Sequence, residues 1–213
     1  MQSKRDSALK VAEFLLQVKA VKLQPENPFT WASGWKSPIY CDNRVTLSYP
    51  KIRTFIRQNY VDAILENFGK PDVIAGVATG GIAQGALIAQ ELGVPFVYVR
   101  SSTKGHGMQN MIEGHLESGQ SVVVIEDLVS TGKSSLLAVD ALRASNASIK
   151  GMAAIFTYGF ERAKEAFEKA DVQLVTLTDY SNLIKQAVKA EYIDQKEVES
   201  LENWRVSPET WGQ

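Results

Sequence analysis

Two adjacent carboxylates, Glu126 and Asp127, stand at the end of an apolar run, Val122-Val123-Val124-Ile125. Two apolar residues, Leu128 and Val129, follow, and then Ser130-Thr131-Gly132-Lys133-Ser134. That order predicts a buried strand, a short turn and the start of a helix. In an open parallel sheet, ligands collect beyond the carboxyl ends of the strands. A helix start at that place offers free N–H groups and the positive end of the helix dipole. Hydroxyls and a glycine complete a cradle for phosphate. Glu126 and Asp127 cannot take the phosphate themselves, because like charges repel. They suit sugar hydroxyls, or a metal ion that bridges to a second anion. The segment therefore fits a ligand with a phosphate at one end and a hydroxylated, metal-bound part at the other.

Two other motifs compete with this reading. Gly132-Lys133-Ser134 matches the tail of a nucleotide-binding P-loop. That motif needs a glycine five positions before Gly132, where this chain has Asp127. A carboxylate there would oppose a triphosphate, so the P-loop reading fails. Gly76-Val77-Ala78-Thr79-Gly80-Gly81 lies between an apolar run and a helical pattern, but Ala78 breaks the dinucleotide fingerprint. What remains at Thr79, Gly80 and Gly81 is a small-residue turn at a helix start. It serves either as a second anion site or as tight packing of helix on strand.

These turns need a scaffold. Helical spacing is expected over Ala8–Val21, followed by loop and short strand over 24–43 and a second helix over Tyr49–Phe68. From residue 72 onward short apolar runs alternate with helical patterns. Strands are expected at 72–77, 94–100, 121–125, 149–158 and 172–177. Helices are expected at 80–92, 132–145, 160–170 and 180–190. Near-continuous apolar strands alternating with helices mark an α/β fold, a mostly parallel sheet covered on both faces. The expected organisation is one domain over 1–213, with an N-terminal region at 1–69, an α/β core at 70–180 and a C-terminal helix and tail at 181–213. Residues 101–120 stand apart as a polar stretch, longer than the ~2–6 residues usual for a strand–helix connection. Lys104 and His106 within it favour a functional lid over a solvated excursion.

Composition bounds the rest. The chain has 213 residues, 45% of them hydrophobic, and needs no disulfide or metal staple to build a core. Its one cysteine, Cys41, excludes an intramolecular disulfide and a cysteine-rich metal site, and fits a reducing compartment. Lys plus Arg is 23 against 24 Asp plus Glu, so the chain lacks the bulk positive field of a typical nucleic-acid binder. No signal peptide precedes the first helix and no run of ~18 apolar residues occurs. The expectation is a cytoplasmic protein with no nucleic-acid and no membrane partner.

The motifs together carry a resemblance. Two acidic residues, two apolar residues and Ser130-Thr131-Gly132-Lys133-Ser134 after a strand resemble the phosphoribosyl diphosphate motif of type I phosphoribosyltransferases. Phe29-Thr30-Trp31-Ala32-Ser33-Gly34-Trp35-Lys36-Ser37-Pro38-Ile39-Tyr40-Cys41-Asp42 resembles the N-terminal signature of the orotate branch of that family. Arg100 followed by Lys104-Gly105-His106-Gly107 resembles its mobile catalytic loop. The three segments occur in the family's order, over nearly the whole chain.

The resemblance implies the type I phosphoribosyltransferase fold with a small N-terminal hood. It also implies a reaction: orotate and 5-phosphoribosyl 1-diphosphate give orotidine 5′-monophosphate and diphosphate, with Mg²⁺, in pyrimidine biosynthesis. Mg²⁺ is carried mainly by the diphosphate rather than by protein ligands. Leu128, Val129, Ser130, Thr131, Gly132, Lys133 and Ser134 are implied around the 5′-phosphate, and Glu126 and Asp127 on the ribose hydroxyls. Thr79, Gly80 and Gly81 are implied against the diphosphate, and Ser33, Gly34 and Lys36 near orotate. Arg100, Lys104 and His106, with Asp127, are implied as the catalytic set, the loop cations meeting the leaving group as it gains charge. The family pattern is a homodimer in which each loop enters the neighbour's site.

This chain departs from some members at four places. Ala32 replaces a lysine and Trp35 an arginine, residues 101–103 lack a lysine, and Gly159 stands where others point an arginine at the orotate carboxylate. Arg44 is a candidate substitute cation. A phosphoribosyltransferase for another base is the nearest alternative, and the N-terminal signature argues against it. A non-catalytic regulator on the same fold would need a basic face or an added DNA-reading element, and neither is visible. An attached decarboxylase barrel, which needs ~200 further residues, is not expected.

Overall fold

The computed structural model describes residues 4–31, 34–101 and 111–212. Helix α1 (Lys4–Gln17) buries Val11, Ala12, Leu15 and Leu16 along one stripe. It starts earlier and stops earlier than its apolar spacing predicts. The chain turns at Lys19, whose φ is 56°, and Val21–Leu23 forms strand β1. Val21 and Leu23 are buried and Lys22 is exposed, a period of two that a helix cannot satisfy. Strands β2 (Phe29–Thr30) and β3 (Lys36–Ser37) pair antiparallel, and β4 (Ile39–Cys41) pairs antiparallel with β1. A 3₁₀ turn at Asn43–Ser48 leads into α2 (Pro50–Phe68). Ile52, Ile56, Tyr60, Ile64 and Phe68 recur every fourth residue on its buried face.

The core is a six-stranded sheet in the order β10-β9-β8-β5-β6-β7. Its strands are β5 (Val73–Val77), β6 (Phe96–Val99), β7 (Ile112–Glu113), β8 (Ser121–Val129), β9 (Ser148–Thr157) and β10 (Leu174–Asp179). All neighbours run parallel except β6 and β7. Helices α3 (Gly80–Leu92), α4 (Lys133–Ala144), α5 (Glu161–Lys169) and α6 (Tyr180–Lys189) connect or follow the parallel strands. Side chains alternate along each strand into two cores. One holds Ile74, Val123, Ile125 and Ile155 with residues of α1, α2, α3 and α6. The other holds Val73, Ala75, Val122 and Val124 with residues of α4 and α5. Among the described residues, no helix is long and apolar enough to cross a membrane.

Three expectations change. Strand β8 does not stop at Ile125 but runs through Glu126 and Asp127 to Val129, because β9 continues alongside it, pairing Leu128 with Phe156 and Val129 with Thr157. The stretch 101–120 is not wholly a polar excursion: Met111 is buried, and β7 pairs antiparallel with β6. The C-terminal part holds a second helix, α7 (Val198–Val206), whose Leu201 and Trp204 are fully buried in the first core.

Candidate active site

The sheet places two helix starts on either side of the acidic pair. At the end of β8, Ser130, Thr131 and Gly132 turn the chain into α4. Gly132 has φ 81°, and a Cβ there would stand 2.8 Å from a ring carbon of Phe167, so the turn requires glycine. No side chain caps the start of α4 and no acid lies in its first turn. Its first N–H groups are left to an anion. At the end of β5, Ala78 and Thr79, joined by a cis peptide, lead into α3, whose start is likewise uncapped and free of acids. The two starts border one cavity of about 850 Å³, lined by Val77–Gly80, Glu126–Leu128 and Ser130–Ser134. The cavity also takes in Leu137 and Asp140 of α4.

Burial divides the two acids. Glu126 is 5% exposed. Its Oε2 accepts from the Ser135 hydroxyl at 3.0 Å and its Oε1 from the Asp127 backbone N–H at 3.0 Å. Burial first, and the Asp127 charge second, push its pKa up to about 8. The Asp127 carboxylate instead lies against Gly80: a Cβ on Gly80 would come within 2.2 Å of Asp127 Cγ. The β5–α3 turn and the end of β8 thus meet, with Asp127 between the two anion-receptive ends.

A second cavity of about 460 Å³ adjoins the first and shares Leu128 and Ser130 with it. Phe29, Thr30, Trp31, Tyr40, Cys41 and Tyr158 form its other walls. The rings are locked by one another. Phe29 and Tyr40 lie 5.7 Å apart, Trp31 and Tyr158 5.3 Å apart, and Trp31 meets the buried Trp204 edge-on at 5.6 Å. Such walls suit a flat ring that also needs polar contacts at its edge. From outside, Arg162 stacks over Trp35 at 5.1 Å and pairs with Glu209, so the C-terminal tail holds the β2–β3 hairpin.

Comparison with known proteins agrees with this geometry. The phosphoribosyl transferase domain model matches residues 48–193. Orotate phosphoribosyltransferase of Porphyromonas gingivalis is 59% identical, covering 95% of this chain and 96% of its own. The chain belongs to the orotate phosphoribosyltransferase family. A crystal structure of orotate phosphoribosyltransferase from Aeropyrum pernix superposes with a TM-score of 0.74 at 27% identity, over 86% of this chain and 99% of that one. The UMP synthase of Leishmania donovani superposes at 0.80 and 26% identity over 94% of this chain, which spans 42% of the length of that protein.

Of the phosphoribosyltransferase site expected from sequence, the structure brings Thr79, Gly80, Glu126, Asp127, Leu128, Ser130, Thr131, Gly132, Lys133 and Ser134 to one cavity. Val129 is fully buried, and its carbonyl accepts from the Tyr158 N–H and the Thr157 hydroxyl. Gly81 packs against the Ile125 carbonyl, where a Cβ would stand 2.2 Å away. Both Val129 and Gly81 are therefore placed for packing. Gly34, at φ 87°, turns the β2–β3 hairpin, and Lys36 donates to the Thr30 hydroxyl at 3.0 Å, beside the aromatic cavity. Arg100 follows directly after β6 and pairs with Glu113 at 3.4 Å, lining neither cavity. Arg44 is held by both oxygens of Asp42, at 2.7 and 2.9 Å, and does not line the aromatic cavity. Ser33, Lys104 and His106 lie outside the described residues. Sequence reasoning gave no site role to Ser135, Trp31, Tyr40, Cys41 or Tyr158, although Trp31, Tyr40 and Cys41 stand in the orotate-branch signature. The density of aromatics over 29–40 was the signal for Trp31 and Tyr40.

Proposed function

We propose that the chain transfers the phosphoribosyl group of 5-phosphoribosyl 1-diphosphate to orotate, giving orotidine 5′-monophosphate and diphosphate in pyrimidine biosynthesis. The observation that carries this reading is the pair of uncapped helix starts flanking Asp127, opening onto an aromatic cavity. The α4 start, with Ser130, Thr131 and Ser134, receives the 5′-phosphate. The α3 start, with Thr79 and Gly80, receives the diphosphate. The ribose then lies beside Asp127, and its anomeric carbon faces the shared Leu128–Ser130 edge. The flat base enters between Phe29, Tyr40, Trp31 and Tyr158.

Charge development follows from this placement. As the bond to diphosphate breaks, positive charge grows on the sugar ring. Asp127 accepts from the ribose hydroxyls and stabilises that charge. Glu126, held protonated below about pH 8 and bonded to Ser135, contributes shape more than charge. One open carboxylate beside an anion-receptive turn would leave Mg²⁺ to be held mainly through the diphosphate rather than in a closed protein cage. Among the described residues no three acids, histidines or cysteines cluster to form such a cage. When bound, Mg²⁺ neutralises charge on the leaving diphosphate. Lys104 and His106 are assigned to a lid that brings further positive charge and excludes water. We assign residues 1–69 to base recognition, a homodimer with shared sites as the assembly, and the cytoplasm as the location.

The test is a spectrophotometric assay of orotate consumption with phosphoribosyl diphosphate and Mg²⁺. Turnover is expected with orotate and not with adenine, guanine or hypoxanthine. Turnover with a purine alone overturns the substrate assignment.

A further inference from the structure

Strand β8 leaves the regular ladder where it carries the acidic pair. Its pairing with β5 ends at Ile125 opposite Gly76. Its pairing with β9 continues, with Glu126 opposite Ala154 and Leu128 opposite Phe156. Tyr60 of α2 reaches the strand at this place. It is fully buried, and its hydroxyl donates to the Glu126 carbonyl at 2.6 Å. Burial, by pushing the phenol pKa far up, keeps its proton in place on that bond.

The next carbonyl is held from the other side. Asn43 is 1% exposed, and its Nδ2 donates to the Asp127 carbonyl at 2.6 Å, where β5 no longer pairs. Asn43 is itself fixed by the Thr46 hydroxyl on its carbonyl at 2.6 Å and the Cys41 thiol on its Oδ1 at 3.3 Å. The two carbonyls belong to the two peptide planes that meet at the Asp127 α-carbon. Those planes set the direction of its side chain.

We infer that Tyr60 and Asn43 are positioning residues of the transfer reaction. By holding the two carbonyls that flank Asp127, they aim its carboxylate into the cavity beside Gly80. Neither residue lines that cavity, so both act through Asp127. The inference rests on Asp127 as the carboxylate that meets the ribose. Loss of the Tyr60 hydroxyl leaves the ring in the α2 stripe and takes that donor from the Glu126 carbonyl. The fold then survives while the aim of Asp127 changes.

Steady-state kinetics and thermal unfolding of the full chain carrying Tyr60→Phe or Asn43→Ser test this. The expected result is a kcat lowered about tenfold or more. Orotate KM should stay within about twofold, and the melting temperature close to that of the unsubstituted chain. A folded Tyr60→Phe with unchanged kcat overturns the inference. So does a kcat loss matched by equal losses of orotate binding and melting temperature, which would mark a structural role alone. Should Tyr60→Phe fail to fold, Asn43→Ser decides by the same criteria. If the unsubstituted chain does not turn over orotate, the proposed function falls by itself. Calorimetric binding of Mg²⁺–phosphoribosyl diphosphate then judges the inference: weaker binding by the variants supports it, and equal binding overturns it.

Discussion

Glu126 and Asp127 are chemically alike and adjacent, but burial assigns them different work. Glu126 has both oxygens engaged inside the protein, and Asp127 stands against the α3 start. The difference has a pH signature. The folded pKa of Glu126 is raised to about 8, whereas an unfolded glutamate titrates near ~4.3. The folded state therefore prefers the protonated form. That preference stabilises the protein fully below pH ~4.3 and is lost as pH rises through about 8. Glu126→Gln has no proton to lose. Its melting temperature relative to the unsubstituted chain is expected to climb between pH 5 and 8, by about 8–16 °C, and to level off above. Scanning calorimetry across that range checks the slope, and a flat difference would refute it. The pairing of two acids with a hydroxyl-rich turn was legible as residue types. Their division was not, because Ser135 reaches Glu126 only once α4 has packed on the sheet.

Among the elements, the decisive one is the β8–α4 junction. Its turn, expected to be an anion cradle, lies at the uncapped start of α4, but the strand was expected to stop four residues short of its end at Val129. Carboxylates look like strand terminators in a single chain. Here the length of β9 supplies pairing partners beyond them, and that partner lies about thirty residues away. The junction also predicts a sensitive position. Gly132→Ala forces a side chain into φ 81° and against Phe167. A destabilisation of about 1–3 kcal/mol is expected, together with weaker phosphoribosyl diphosphate binding. Denaturant unfolding and calorimetry measure the two effects. An unchanged unfolding midpoint would mean that the turn can relax. The α1 boundary failed for a related reason: Val21 and Leu23 continue an apolar spacing that looks helical until β4 arrives to pair with them.

At the scale of the whole molecule, the proposed dimer makes a quantitative prediction. If each lid serves its neighbour's site, Lys104→Ala and Asp127→Asn chains are each nearly inactive alone. Mixed in equal amounts, they should recover up to about a quarter of full turnover, because half the dimers are mixed and each holds one intact site. No recovery in a mixture shown to exchange subunits would mean that each site is built from one chain. The fold class and the family were legible in the sequence, because strand runs, helix periods and a strand–acid–acid–turn–helix order are local patterns. The near-zero net charge also fits an anion-binding site, since helix starts supply attraction that formal charge does not count. The sequence by itself determined the α/β order, the strand–acid–acid–turn–helix order and the orotate-type signature. Only the tertiary structure decided that Arg100 and Arg44 are paired with acids, that Trp204 from the far end packs edge-on against Trp31 of the aromatic cavity, and that Tyr60 and Asn43 hold the backbone of the acidic pair. These are contacts between residues distant in the chain, and local spacing carries no record of which buried donor will meet which carbonyl.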